Sequence, residues 1–157
     1  MKQRKKKMAV LVASLALALG LCGCALETSA ENLFTLPEVP VEYTGLSNTL
    51  NTYLKSGYEY INPTGGSNMQ SLQMIDLDGD GSKEAVAFFR HTSDEKPLKI
   101  MVFRLEGDTY RCFCTIESSG SAVDSVYYQD LNGDGCREII VGWRISADVQ
   151  TLAAYTV

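Results

Sequence analysis

Histidine is nearly absent: the 157 residues contain one, His91. Catalytic constellations that use an imidazole as general base lose almost all their candidates on that count. Bases are also scarce beyond the N-terminus. Of 14 Lys and Arg, five (Lys2, Arg4, Lys5, Lys6 and Lys7) fall in the first seven positions, with no acid among them. Residues 24–157 then hold 9 bases against 19 acids, a formal charge of −10. Such a body lacks the clustered Lys and Arg that phosphate contacts require, which excludes nucleic acid as a partner. It suits a cation-binding surface instead. Long apolar runs are missing as well. Met8–Leu21 is uncharged but only 14 residues long, short of the roughly 20 needed to span a bilayer. A hydrophobic fraction of 45% still excludes wholesale disorder.

A basic n-region (residues 1–7) followed by a short apolar h-region has the form of an export signal. Directly after it stands Leu21-Cys22-Gly23-Cys24. This resembles the lipobox of bacterial lipoproteins, with Leu at −3, a small residue at −1 and Cys at +1. The resemblance implies that residues 1–23 are a lipoprotein signal peptide and that Cys24 carries a thioether-linked diacylglycerol. Two acyl chains anchor a protein stably where one does not. On the residues alone, an uncleaved signal anchor or cleavage after Ala30 are the other readings. Residues 24–44 continue as the lipidated Cys and an acidic tether, with Pro37, Pro40 and no base. Proline and like charges keep such a segment extended.

The body contains an internal repeat. DLDGDGSKE begins at Asp76 and DLNGDGCRE at Asp130, 54 residues later, with apolar-rich flanks on both sides of each. Oxygen donors at positions 1, 3 and 5 converge if the chain coils tightly, and glycine at position 6 supplies the sharp turn. Hard oxygen ligands at this density suit Ca2+ better than zinc or copper. An EF-hand also needs Glu at position 12 on an exiting helix. Position 12 is Ala87 in one copy and Val141 in the other, and β-branched and aromatic residues follow each loop. Each loop is therefore expected to join two strands.

The pattern resembles the FG-GAP/VCBS-type repeats of integrin-like β-propellers, across roughly residues 68–157. In that family the loop sits in a hairpin and binds Ca2+. Carried over by position, the resemblance implies one site from Asp76, Asp78, Asp80, the carbonyl of Ser82, and Glu84. A second comprises Asp130, Asn132, Asp134, the carbonyl of Cys136, and Glu138. Up to two Ca2+ ions are expected, the second site being the weaker because it has one carboxylate fewer. The Phe-Gly-Gly-Ala-Pro stretch of the family is absent from this chain.

The expected fold is mainly β. Antiparallel hairpins form one and a partial propeller-like blade, preceded by the signal peptide, the linker and one short helix. Residues 45–67 provide the helix, over Leu46–Ser56, and a loop. Strands are expected over Asn68–Ile75, Glu84–His91, Leu98–Leu105, Thr109–Glu117, Val123–Gln129, Ile139–Ile145 and Thr151–Val157. In the fourth of these, Tyr110, Cys112, Cys114 and Ile116 alternate with Arg111, Phe113 and Thr115, and the first set is expected on one core-facing side. Trp143 is expected in the core, and Cys112, Cys114 and Cys136 as buried free thiols, a bridge from Cys112 or Cys114 to Cys136 being the other reading. The second copy stops in its third strand, so the chain is expected to be a fragment, or a premature end, of a longer protein. These readings add up to a non-enzymatic, extracytoplasmic lipoprotein on the cell membrane, with a protein or glycan partner. The alternative is the N-terminal part of a larger surface hydrolase or carbohydrate-active protein whose catalytic region lies beyond Val157.

Overall fold

A computed structural model describes residues 43–157. The signal peptide, Cys24 and the tether up to residue 42 lie outside them. Helix α1 spans Thr44–Lys55, followed by strands β1 (Glu59–Tyr60), β2 (Leu72–Ile75), β3 (Glu84–Arg90), β4 (Leu98–Glu106), β5 (Thr109–Ser118), β6 (Ala122–Gln129), β7 (Glu138–Arg144) and β8 (Gln150–Tyr155). The protein is mainly β and antiparallel throughout. The two-residue strand β1 was not expected from the sequence.

Helix α1 forms because Leu46, Leu50, Tyr53 and Leu54 recur at spacings of three and four, which puts them on one stripe. It stops where Gly57 takes φ +93°. There the N–H of Tyr58 donates to the Tyr53 carbonyl at 3.2 Å and that of Gly57 to the Leu54 carbonyl at 3.1 Å. This pair of bonds is a Schellman cap, and it satisfies carbonyls that the helix end would leave bare.

The strands make two sheets. In the first, β3 pairs with β4 and β4 with β5, while β1 and β2 share the other edge of β3. The second is β6-β7-β8. Strand β3 is apolar at nearly every position because both its faces are covered. Ala85, Ala87 and Phe89 pack with Leu46 and Leu50 of the helix. Val86 and Phe88, with Ile100 and Val102 of β4, pack against Val126, Ile139, Val141 and Trp143 of the second sheet. The layers are thus helix, first sheet, second sheet. Trp143 is buried in the core, and its Nε1 donates to the Tyr155 hydroxyl at 3.1 Å.

One register detail corrects the sequence reading. Val102 pairs with Cys114, but Phe103 pairs with Cys112, so Phe113 is an extra residue in β5. A bulge of this kind reverses the facing of every residue beyond it. Tyr110 and Cys112 consequently face the helix, whereas Cys114 and Ile116 face the second sheet. The two cysteines do not share a face. Cys112, Cys114 and Cys136 are free thiols.

Strands β2–β3–β4 and β6–β7–β8 are equivalent. Ala85 pairs with Phe103 as Ile139 pairs with Tyr155. The outer face of the second sheet, with Tyr127, Ile140, Leu152 and Ala154, corresponds to the covered face of the first. It is open among the described residues, and Leu152 is 72% exposed. Truncating Leu50 to Ala should destabilise the fold by about 2–5 kcal/mol in urea unfolding, because the site is sealed between helix and sheet. Leu152→Ala should stay within about 0.5 kcal/mol.

Candidate metal centre

Both repeated loops fold in the same way, and each side-chain oxygen has the same backbone partner in both copies. The position 1 carboxylate accepts two N–H groups. Asp76 takes those of Gly79 (2.8 Å) and Gly81 (3.2 Å), and Asp130 those of Gly133 (2.6 Å) and Gly135 (3.0 Å). At position 3, Asp78 Oδ1 accepts from the N–H of Asp80 at 3.3 Å and Asn132 Oδ1 from that of Asp134 at 2.8 Å. At position 5, Asp80 Oδ1 accepts from Ser82 at 2.6 Å and Asp134 Oδ1 from Cys136 at 2.8 Å. At position 9 the glutamate, first residue of its strand, reaches back to the N–H of position 2. Glu84 accepts from Leu77 and Glu138 from Leu131, each at 2.9 Å. Positive φ at Gly79 (+74°) and Gly133 (+79°) lets the chain turn its amides inward.

In the first loop Asp76, Asp78 and Glu84 each bring one oxygen within 4.8 Å of the others. Asp80 lies outside that group. Carboxylates at such range repel one another, and the inward N–H groups offset only part of that repulsion. An all-oxygen set of this kind, with Glu84 only 1% exposed, is chemistry that fits a hard divalent cation. In the second loop an amide replaces one acid. Asn132 Nδ2 donates to Asp134 Oδ2 at 2.9 Å and to Glu138 Oε1 at 3.4 Å. The N–H of Cys136, and then the Asn132 amide, hold the Asp134 carboxyl below the usual carboxylate range.

Two residues near these acids carry no signal in the sequence. Arg104 of β4 donates from Nη2 to Asp78 Oδ2 at 2.8 Å, and its Nε stands 3.4 Å from Glu84 Oε1. Thr156 donates from Oγ1 to Glu138 Oε1 at 3.5 Å. Both arrive through strand pairing from about 20 residues downstream in sequence, so no local motif announces them.

The loops also touch one another. The Arg137 N–H donates to the Leu77 carbonyl at 2.6 Å, and Cys136 Sγ lies 3.8 Å from the Asp78 carbonyl. The Cys136 thiol is pushed up, first by burial and then by the charges of Asp134, Asp78 and Asp130.

Elsewhere, His91 bonds Asp94 at 2.9 Å and stacks on Tyr58 with ring centroids 4.6 Å apart. Lys99 bonds both Asp94 and Glu117. Among the described residues, no helix is long and apolar enough to cross a membrane. No protein-family model matches the chain, and no curated protein or solved structure does either.

Gly79 separates the loops: a Cβ there would lie 2.8 Å from the Gly135 carbonyl oxygen, whereas one at Gly81 meets nothing within 4 Å. Both have positive φ. Gly81→Ala should therefore cost about 1–2 kcal/mol for the left-handed backbone alone. Gly79→Ala should cost a further 1–3 kcal/mol or so for the forced contact, with the difference read from paired urea unfolding curves.

Proposed function

We propose that this protein is an extracytoplasmic lipoprotein of the FG-GAP/VCBS type, anchored to the membrane through Cys24. Its stacked β repeats use Ca2+ to brace a surface for a protein or glycan partner, and it is not an enzyme. The observation that carries the reading is the duplicated loop. The same donor positions recur with the same backbone bonds in both copies, and three carboxylate oxygens of the first converge within 4.8 Å.

An ion would be held by Asp76, Asp78 and Glu84 in the first loop, with Asp80 and the Ser82 carbonyl as further donors. In the second loop Asp130, Asn132 and Glu138 would serve, with Asp134 and the Cys136 carbonyl. What Ca2+ supplies is charge: it neutralises acids that otherwise repel. The chain's own part is to bring together donors from the end of one strand and the start of the next. A cation bound there ties β2 to β3, or β6 to β7. Because the loops touch through Arg137 and Leu77, bracing one also steadies the other. The polar, oxygen-rich edge this creates is a surface that a sugar or a protein loop can hydrogen-bond.

Binding to the folded state alone raises stability, by about 2.7 kcal/mol when free ligand is a hundredfold above Kd. Millimolar Ca2+ should therefore raise the melting temperature of the full chain by several degrees, and chelation should reverse the rise. The double variant Asp80→Asn/Asp134→Asn should show no shift. A wild-type melting curve that ignores saturating Ca2+ would overturn the reading. Anchoring is tested separately: Cys24→Ala should move the protein from the membrane fraction to the soluble fraction and abolish labelling by radioactive palmitate. Retention in the membrane with no label in the wild type would point to an uncleaved signal anchor instead.

A further inference from the structure

We propose that the outer edge of β8 is an acceptor for an extended segment of a partner protein, which joins the second sheet as a further strand antiparallel to β8. The proposal rests on the reading of this protein as a binding module and gives its partner a chemistry: polypeptide backbone with an apolar residue at every second position.

The other sheet edges are guarded. Strands β1 and β2, which share one edge of the first sheet, are two and four residues long, and such short edge strands offer little to pair with. Strand β5, at the opposite edge, carries Arg111, Glu117 and the bulge at Phe113; charges and bulges both discourage pairing. Along β6 the loop before β2 supplies partners. The N–H groups of Thr64 and Gly65 donate to the Val123 and Asp124 carbonyls at 3.0 and 2.7 Å, and Asn68 Nδ2 donates to the Val126 carbonyl at 3.1 Å. Strand β8 has none of these devices. From Val149 to Val157 there is no charge, proline or glycine, and among the described residues no strand pairs with its outer edge. The Ile145 N–H donates to the Val149 carbonyl at 2.8 Å. Bonding alternates along an antiparallel ladder, so Thr151, Ala153 and Tyr155 bond β7, and the backbone groups of Gln150, Leu152 and Ala154 point outward.

The first sheet shows what fits there. Strand β8 is the equivalent of β4, which carries β5 on that edge. The sheets stack strand over strand, since Tyr128 of β6 donates to Gln73 Oε1 of β2 at 2.6 Å. Strand β5 therefore overhangs the place beside β8, with Cys114 and Ile116 on the side that faces the second sheet. The place is a slot: β8 is its wall and β5 its roof. An incoming strand takes backbone bonds from the wall and tucks every second side chain beneath the roof. Backbone bonds give strand addition its affinity, and side-chain pockets give it specificity. A single strand fits where a second copy does not. Pairing β8 with β8 antiparallel would bring the overhanging β5 of each copy into the same space.

The probe is a fluorescein-labelled peptide of the β5 sequence, Thr109–Ser118, with alanine at both cysteine positions. It is titrated against the full chain in a mild non-ionic detergent and followed by anisotropy. The wild type should bind a single peptide, and binding should slow hydrogen exchange at the amides of Leu152 and Ala154. Ala154→Pro removes an outward N–H and spares the ladder to β7. It should weaken binding by about tenfold or more, with the melting temperature unchanged. The same peptide methylated on every backbone nitrogen has no N–H to donate and should not bind. No saturable binding by the wild type, or binding that Ala154→Pro and N-methylation leave unaltered, overturns the proposal. So does a dimer in sedimentation velocity that Ala154→Pro dissociates, because the occupant is then a second copy. Should Ala154→Pro not fold, Leu152→Lys takes its place with the same expectation, since it adds an edge charge of the kind β5 carries. Titration in CaCl2 and in EDTA separates this from the calcium reading. A melting temperature raised by Ca2+ without peptide binding removes the acceptor alone. Peptide binding with a melting curve indifferent to Ca2+ removes the calcium reading alone.

Discussion

The hydrogen bond from each position 9 glutamate back across its hairpin organises the molecule. Glu84 and Glu138 are carboxylates buried at the first residue of a central strand. A buried acid is tolerated only when its oxygens are matched. Here one oxygen accepts the N–H of Leu77 or Leu131, which fixes where each loop begins relative to where its strand starts. That fixed span forces the intervening residues into a tight coil with amides inside and carboxylates along its rim. Move the glutamate by one residue and the strand would present the opposite set of side chains to the core. Loop geometry and sheet register are therefore one constraint, imposed twice.

Much of this is written locally in the sequence. The loop motif, with glycines where the backbone must turn left-handed, is readable residue by residue, and the strands after each loop follow from runs of Val, Ile and Phe. Helix α1 is visible in the spacing of Leu46, Leu50 and Leu54. What escapes is set by partners. Tyr110, Cys112, Cys114 and Ile116 keep an unbroken two-residue alternation, and nothing in it marks the slip at Phe113. The bulge becomes visible only when β5 is laid beside β4. The strand must bury its first half under a helix and its second half against a sheet on the opposite side, and one extra residue accomplishes the change. Strand β1, two residues long, leaves no pattern to find.

The candidate site divides in the same way. The oxygen donors lie within nine-residue windows and can be picked out directly. The electrostatic environment of those donors comes from Arg104 and Thr156, which belong to the next strand along. Asp78 and Asn132 look like a small difference in donor strength when read in the loop alone. With their cross-strand neighbours in view, the substitution is one half of a paired change, charge for charge. Phe113 adds a third partner, since the bulge residue forms the floor on which the guanidinium rests.

The layering also gives the protein a direction. Successive sheets stack front to back, and helix α1 occupies the rear of the first sheet, where another sheet would otherwise lie. The opposite end presents Tyr127, Ile140, Leu152 and Ala154 with no such lid among the described residues. Copies of the described sheets cannot stack face to face in an endless row, because the helix already covers the rear of the first sheet. The short helix thus guards against filament growth as well as contributing to the core.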